Sequence, residues 1–119
     1  MRQILILVSL WLLPVISIAG DVEIINATAN RVDGNRYHIQ VTLRHNDTGW
    51  DHYANAWRVF APDGTLLGER TLYHPHVNEQ PFTRGLTLAI PSGISQVEIE
   101  AQDLKHGIAK QRFKLQLHP

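Results

Sequence analysis

Tyr37-His38-Ile39-Gln40-Val41-Thr42-Leu43-Arg44 places an apolar residue at every second position and a polar one between each pair. Successive side chains of an extended chain point to opposite faces, so this alternation describes a β-strand with one buried and one wet face. On a helix the same residues would scatter around the cylinder instead of forming one stripe. The stretch therefore has to be a strand, and the rest of the chain reads outward from it.

Upstream, Val22 to Val32 is a first strand, closed by the turn Asp33-Gly34-Asn35. Downstream, Asn55 to Ala61 resumes the alternation with Trp57 and Val59 on one face. Pro62-Asp63-Gly64 then turns the chain: Pro presets φ and Gly takes the positive-φ position. Thr65 to Leu72 pairs back. Phe82, Leu86, Leu88 and Ile90 share one parity, and Pro91-Ser92-Gly93 makes the next reversal. Val97, Ile99 and Ala101 alternate with Glu98, Glu100 and Gln102, and Phe113, Leu115 and Leu117 form the last strand. About seven short strands with regular turn signals, and a Trp on the third, predict an all-β immunoglobulin-like or fibronectin-III-like sandwich, with a small closed barrel as the alternative. Tyr37, Ile39, Val41, Trp57, Val59, Leu86, Leu88, Val97, Ile99, Phe113 and Leu115 are the expected interior.

The chain has 119 residues, and its first segment reads as a leader. Met1-Arg2-Gln3 is a positive head, Ile4 to Ile18 is nearly all apolar, and Ser17-Ile18-Ala19 offers small residues for cleavage. The apolar run is shorter than the roughly 20 residues that span a bilayer, so residues 1–19 are expected to be a signal peptide and 20–119 the domain. After cleavage no stable membrane anchor is expected. There is no cysteine, which excludes disulfides, thiol chemistry and Cys-based zinc sites. Lys and Arg number 11 against 11 Asp and Glu, and this balance argues against a nucleic-acid partner.

The connections are of two kinds. The tight turns at 33–35, 62–64 and 91–93 should share one end of the sandwich, and the longer loops 45–53, 73–81 and 103–109 the other. Of the 7 His, those at 45, 52, 74, 76 and 106 fall in the longer loops. Loops on a rigid scaffold are where binding groups tend to reside.

His74 and His76 lie two apart, so both imidazoles point the same way in extended backbone, and Pro75 between them stiffens it. With His52 from another loop, and Glu79 or His106 as a fourth ligand, they form a candidate site for zinc or copper; Asp51 is a further carboxylate within reach. The competing account is loop-locking: Arg84, sharing the inward parity of Phe82 and Leu86, needs an anionic partner, and Asp47, Asp51 or Glu79 would supply it, with Trp50 covering the core. Asp47-Thr48-Gly49 matches the triplet of aspartic proteases, but its polar surroundings fit a turn instead.

Asp47-Thr48-Gly49-Trp50-Asp51-His52-Tyr53-Ala54, Trp57, His74-Pro75-His76-Val77-Asn78-Glu79-Gln80-Pro81-Phe82-Thr83-Arg84 and His106-Gly107 resemble a family of small exported bacterial proteins. The resemblance implies export to the periplasm or the extracellular space and brings no activity, cofactor or partner with it. The expected function is an exported ligand-binding module with a His-rich loop site for a divalent transition metal, copper or zinc. The alternative is a protein-interaction or structural module, meeting an exported protein partner, whose His, Asp and Arg cluster only locks the loops. An enzyme ranks third, because no nucleophile and base stand at a recognisable spacing.

Overall fold

Strands account for all the regular structure in residues 21–118, which the computed structural model describes; the expected leader, 1–19, lies outside them. In chain order these are β1 (Glu23–Asp33), β2 (Arg36–Arg44), β3 (Ala54–Phe60), β4 (Leu66–Thr71), β5 (Phe82–Ala89), β6 (Gln96–Asp103), β7 (Gly107–Ile108) and β8 (Phe113–Gln116). The all-β expectation holds, with one difference in the last third. The segment 103–109, expected as irregular loop, contains the two-residue β7, which pairs back on Gln102 and Asp103 of β6. Too short to show any alternation, β7 could not be read from the pattern.

Every pairing is antiparallel, in two sheets. One runs β1-β2-β5; the other runs β4-β3-β6, with β7 and β8 both pairing with β6. The inward residues of both sheets form one core in which Ile39, Val41, Leu43, Trp57, Val59, Val97 and Ile99 are fully buried. Of the expected interior, Leu86 and Phe113 are only partly buried against it. Interior packing is as dense as an organic crystal, so Trp57→Ala would leave a cavity that costs about 3–5 kcal/mol. The sheets approach closely where β4 faces β5: a Cβ on Gly68 would lie 3.0 Å from both Leu86 and Leu88.

The outward face of the second sheet is laced by charge. Arg58 lies opposite both Glu69 and Glu100 and bonds them at 2.7 and 3.2 Å. Arg112 reaches Glu100 at 3.0 Å and Glu98 at 3.2 Å while covering the Phe60 ring at 4.3 Å. This explains how Glu100 can be buried on a face that the alternation assigns to water.

Register decides which strand ends meet. Leu43 at the end of β2 pairs with Phe82 at the start of β5, and Ala54 at the start of β3 pairs with Asp103 at the end of β6. The segments 45–53, 73–81 and 103–107 therefore leave the sheets at one pole. At the other, Gly34, Gly64 and Gly93 take φ of 41°, 91° and 91° in the tight turns.

Candidate functional site

Apart from Glu100, the buried polar residues of the described domain gather at the loop pole: His45, Asp47, His76 and Asp103 are each at most 6% exposed. Asp47 is their hub. Its Oδ1 accepts from His45 Nδ1 and from the Ala54 amide at 3.0 Å, and its Oδ2 accepts from the His76 amide at 2.7 Å. One carboxylate thus ties the end of β2, the start of β3 and the segment before β5. A second link runs through Gln80, which accepts from the His45 amide at 3.0 Å and donates to the His76 carbonyl at 2.9 Å. An ionised carboxylate can only accept, so Nδ1 carries the hydrogen of this bond and Nε2 is the ring nitrogen turned the other way.

That Nε2 faces Asp103, from the other sheet, at 3.7 Å to Oδ2. His52, held by the bridge between Gly49 and His52, brings its own Nε2 to 3.5 Å from Asp103 Oδ1. Within the described residues, His45, His52 and Asp103 each offer one ligand atom, and these atoms lie within 4.8 Å of one another. Two ligands about 2.1 Å from a tetrahedral metal stand roughly 3.4 Å apart, so the cluster needs little movement to close on an ion. Two of its atoms, His52 Nε2 and Asp103 Oδ2, are buried with no hydrogen-bond partner among the described residues. Asp103 Oδ1, by contrast, is occupied: it accepts from the Lys105 and His106 amides at 2.9 and 2.6 Å and faces His106 Nδ1 at 3.3 Å. His106 lies at the outer side of the group, its ring 5.0 Å from that of His52 and its side chain 36% exposed.

Both carboxylates have side chains with 0% exposure, and the nearest cationic candidates are imidazoles. Two buried negative charges are costly unless balanced. Either protonated His or a bound cation can balance them here, and the bare His52 Nε2 and Asp103 Oδ2 are the atoms a cation would take.

The other expected ligands form a second group, joined to the first through Asp47. The rings of His74 and His76 lie 4.7 Å apart, and His76 stacks on Phe82 at 4.0 Å. Arg84 is half-buried, as its inward parity requires, and its Nη2 sits 3.4 Å from His76 Nε2. It donates to its own neighbour, the Thr83 carbonyl, at 2.7 Å, and pairs with Glu79 only at 3.9 Å. Burial holds His76 below the ordinary imidazole pKa, helped by the charges of Arg84 and His74 and opposed by Glu79 and Asp47. Trp50 is 68% exposed, edge-on to Tyr53 at 5.8 Å. Asp51 is exposed nearby.

The structure thus divides the expected ligands: His52 and His106 stand with Asp103 and His45, while His74, His76 and Glu79 stand with Arg84. His45 and Asp103 were not singled out from sequence as ligands. The one available signal was the clustering of His45 with the other loop His; Asp103, the last residue of an alternating strand, carried none.

No family model matches the chain, and no solved structure matches it. The chain is similar to a protein of Halomicrobium mukohataei whose name reads "Putative lipoprotein", at 35% identity over 91 residues, or 76% of this chain and 45% of the relative. It spans less than half the length of the relative it matches.

Proposed function

We propose that this chain is an exported metal-binding module, and that His45, His52 and Asp103 hold a divalent transition ion, zinc or copper, with His106 as the fourth ligand from the solvent side. The observation that carries this reading is the pair of buried, unpartnered atoms, His52 Nε2 and Asp103 Oδ2, within one cluster of ligand spacing. Buried polar atoms are nearly always satisfied, and a bound metal would satisfy both at once. Asp47 would be the outer carboxylate that orients His45, an arrangement common around metal-ligating His. The apolar leader and the relative's name support export.

The strand order supports an immunoglobulin-like type of sandwich: first, second and fifth strands in one sheet against third, sixth and last in the other. The fourth strand lies beside the third and not beside the fifth, a departure from the constant-domain arrangement. With His45 on one sheet and Asp103 on the other, a metal here would staple the two sheets at one pole.

The second reading, a structural module in which protonated His merely lock the loops, is favoured by the bond from His45 to Asp47. Calorimetric titration of metal-stripped, untagged protein with zinc and with copper separates the two. Micromolar or tighter binding at one ion per chain, lost in His52→Ala and in Asp103→Asn, supports the metal. Absence of heat with both ions leaves the lock.

A further inference from the structure

His74, His76, Val77, Glu79 and Arg84 line an open cleft of about 440 Å³ beside the buried cluster. Its chemistry differs from that of the cluster. The guanidinium of Arg84 stands 3.4 Å from His76 Nε2, the atom a second metal ion would need, so a cation entering there meets a fixed positive charge. Two imidazoles and a guanidinium face the cleft against one carboxylate, Glu79, whose side chain is 66% exposed and 3.9 Å from Arg84. An exposed ion pair of that length contributes little and is easily exchanged. Among the described residues, only the Thr83 carbonyl and His76 Nε2 otherwise engage the guanidinium by hydrogen bonds, so several of its five N–H donors remain for a ligand. The site is held firmly from below: His76 stacks on Phe82, its amide is fixed to Asp47, and Arg84 lies over the same Phe82 ring at 5.6 Å.

We propose that this cleft binds a carboxylate, gripped by the fork of Arg84 in place of Glu79 and closed over by the exposed imidazole of His74. A guanidinium fork matches a planar carboxylate through two parallel N–H···O bonds, which a lysine ammonium cannot reproduce. Val77, 53% exposed on the lining, offers an apolar contact to the carbon skeleton of a small organic acid. The site does not depend on the metal reading, since none of its groups belongs to the His45, His52 and Asp103 set.

The test is a titration of the mature protein with succinate, and separately with inorganic phosphate, at constant ionic strength. It is followed by NMR of the His74 and His76 rings and the Arg84 side chain, in metal-stripped and zinc-treated samples. Saturable shifts confined to residues 74–84 with succinate are expected. Affinity should fall at least tenfold in Arg84→Lys, which keeps the charge and loses the fork, and fall again in His74→Ala, an exposed change that leaves the fold alone. Shifts that never saturate, that persist unchanged in both variants, or that phosphate alone produces would overturn the proposal. A protein that binds zinc and ignores succinate loses only this site; one that binds succinate and ignores zinc loses only the metal.

Discussion

At the turn pole, the reversals are made largely by a few residues each, although Asn35 also accepts from the Ile90 amide at 2.8 Å. Pro62-Asp63-Gly64 closes with the Gly64 amide donating to the Ala61 carbonyl at 2.9 Å, and Asp63 accepts from the Thr65 amide at the same distance. At the loop pole, local bonds such as those from the Lys105 and His106 amides to Asp103 are joined by long-range ones. Asp47 reaches 29 residues ahead to the His76 amide, and Gln80 reaches 35 residues back to the His45 amide. One pole is therefore set mainly by turn chemistry, whereas the other is completed by bonds that form only once distant segments have met. The buried carboxylates there tie distant segments together, and under the proposed reading this pole is the working end.

The sharpest break of this contrast is Asp47→Ala, which strands the His45 Nδ1 donor and the amides of Ala54 and His76. Each buried donor left unsatisfied costs about 1–3 kcal/mol, and partial relaxation brings the expected total to about 3–5 kcal/mol in urea unfolding. A loss below about 1 kcal/mol would mean that the loop pole, too, is locally determined. Next in size is the effect of the ion. Zinc at a hundred times its dissociation constant should stabilise the fold by about 2.7 kcal/mol, seen as a rise in melting temperature that EDTA reverses. The double variant His52→Ala/Asp103→Asn should show no rise; an equal rise there would place the ion elsewhere.

How much of this was legible in the sequence differs between the poles for the same physical reason. The strands declared themselves because alternation is a local signal, as in Tyr37 to Arg44, and the turn glycines because positive φ is a single-residue demand. His74 and His76 drew attention through their two-residue step. His45 and Asp103 did not, because their meeting depends on sheet register and on the docking of one sheet against the other. β6 continues one residue beyond its last outward Gln102, so Asp103 turns inward at the strand end and pairs with Ala54. A carboxylate there looks like the first residue of a loop. Its partner His45 stands 58 positions earlier by residue number, a separation over which single-sequence patterns say nothing.

At the turn pole, Gly64→Ala gives the matching smaller test. Its φ of 91° is a conformation L side chains rarely adopt, and a Cβ there would meet nothing within 4 Å. The cost is therefore backbone strain alone, about 1–2 kcal/mol. Zinc affinity should be unchanged to within a factor of two, because the substitution sits at the opposite pole from the cluster. A large drop in affinity would show that the two poles are coupled and not merely joined by a core.

The smallest expected effect is one of pH, and it belongs to the loop pole. His76 titrates below its ordinary value of 6.5 because burial disfavours the imidazolium, with Arg84 and His74 adding repulsion. The unfolded chain, lacking these surroundings, takes up the proton first on acidification. Stability from this group is thus complete above about pH 6.5 and declines as pH falls through that value toward the folded pKa, by at most about 1.4 kcal/mol per pH unit. Urea unfolding of metal-stripped protein at pH 7.5 and 5.5 should show the decline, and His76→Gln should remove its share of the slope while also lowering the baseline through the lost stacking on Phe82. NMR titration of the ring reads the same quantity directly. Arg84→Met should raise the His76 pKa by removing the neighbouring charge, whereas Glu79→Gln should lower it further, since Glu79 favours the charged ring. A His76 pKa found above 6.5 in the intact protein would mean that the ring is paired with a carboxylate, and the electrostatic distinction between the Arg84 cleft and the buried cluster would fall with it.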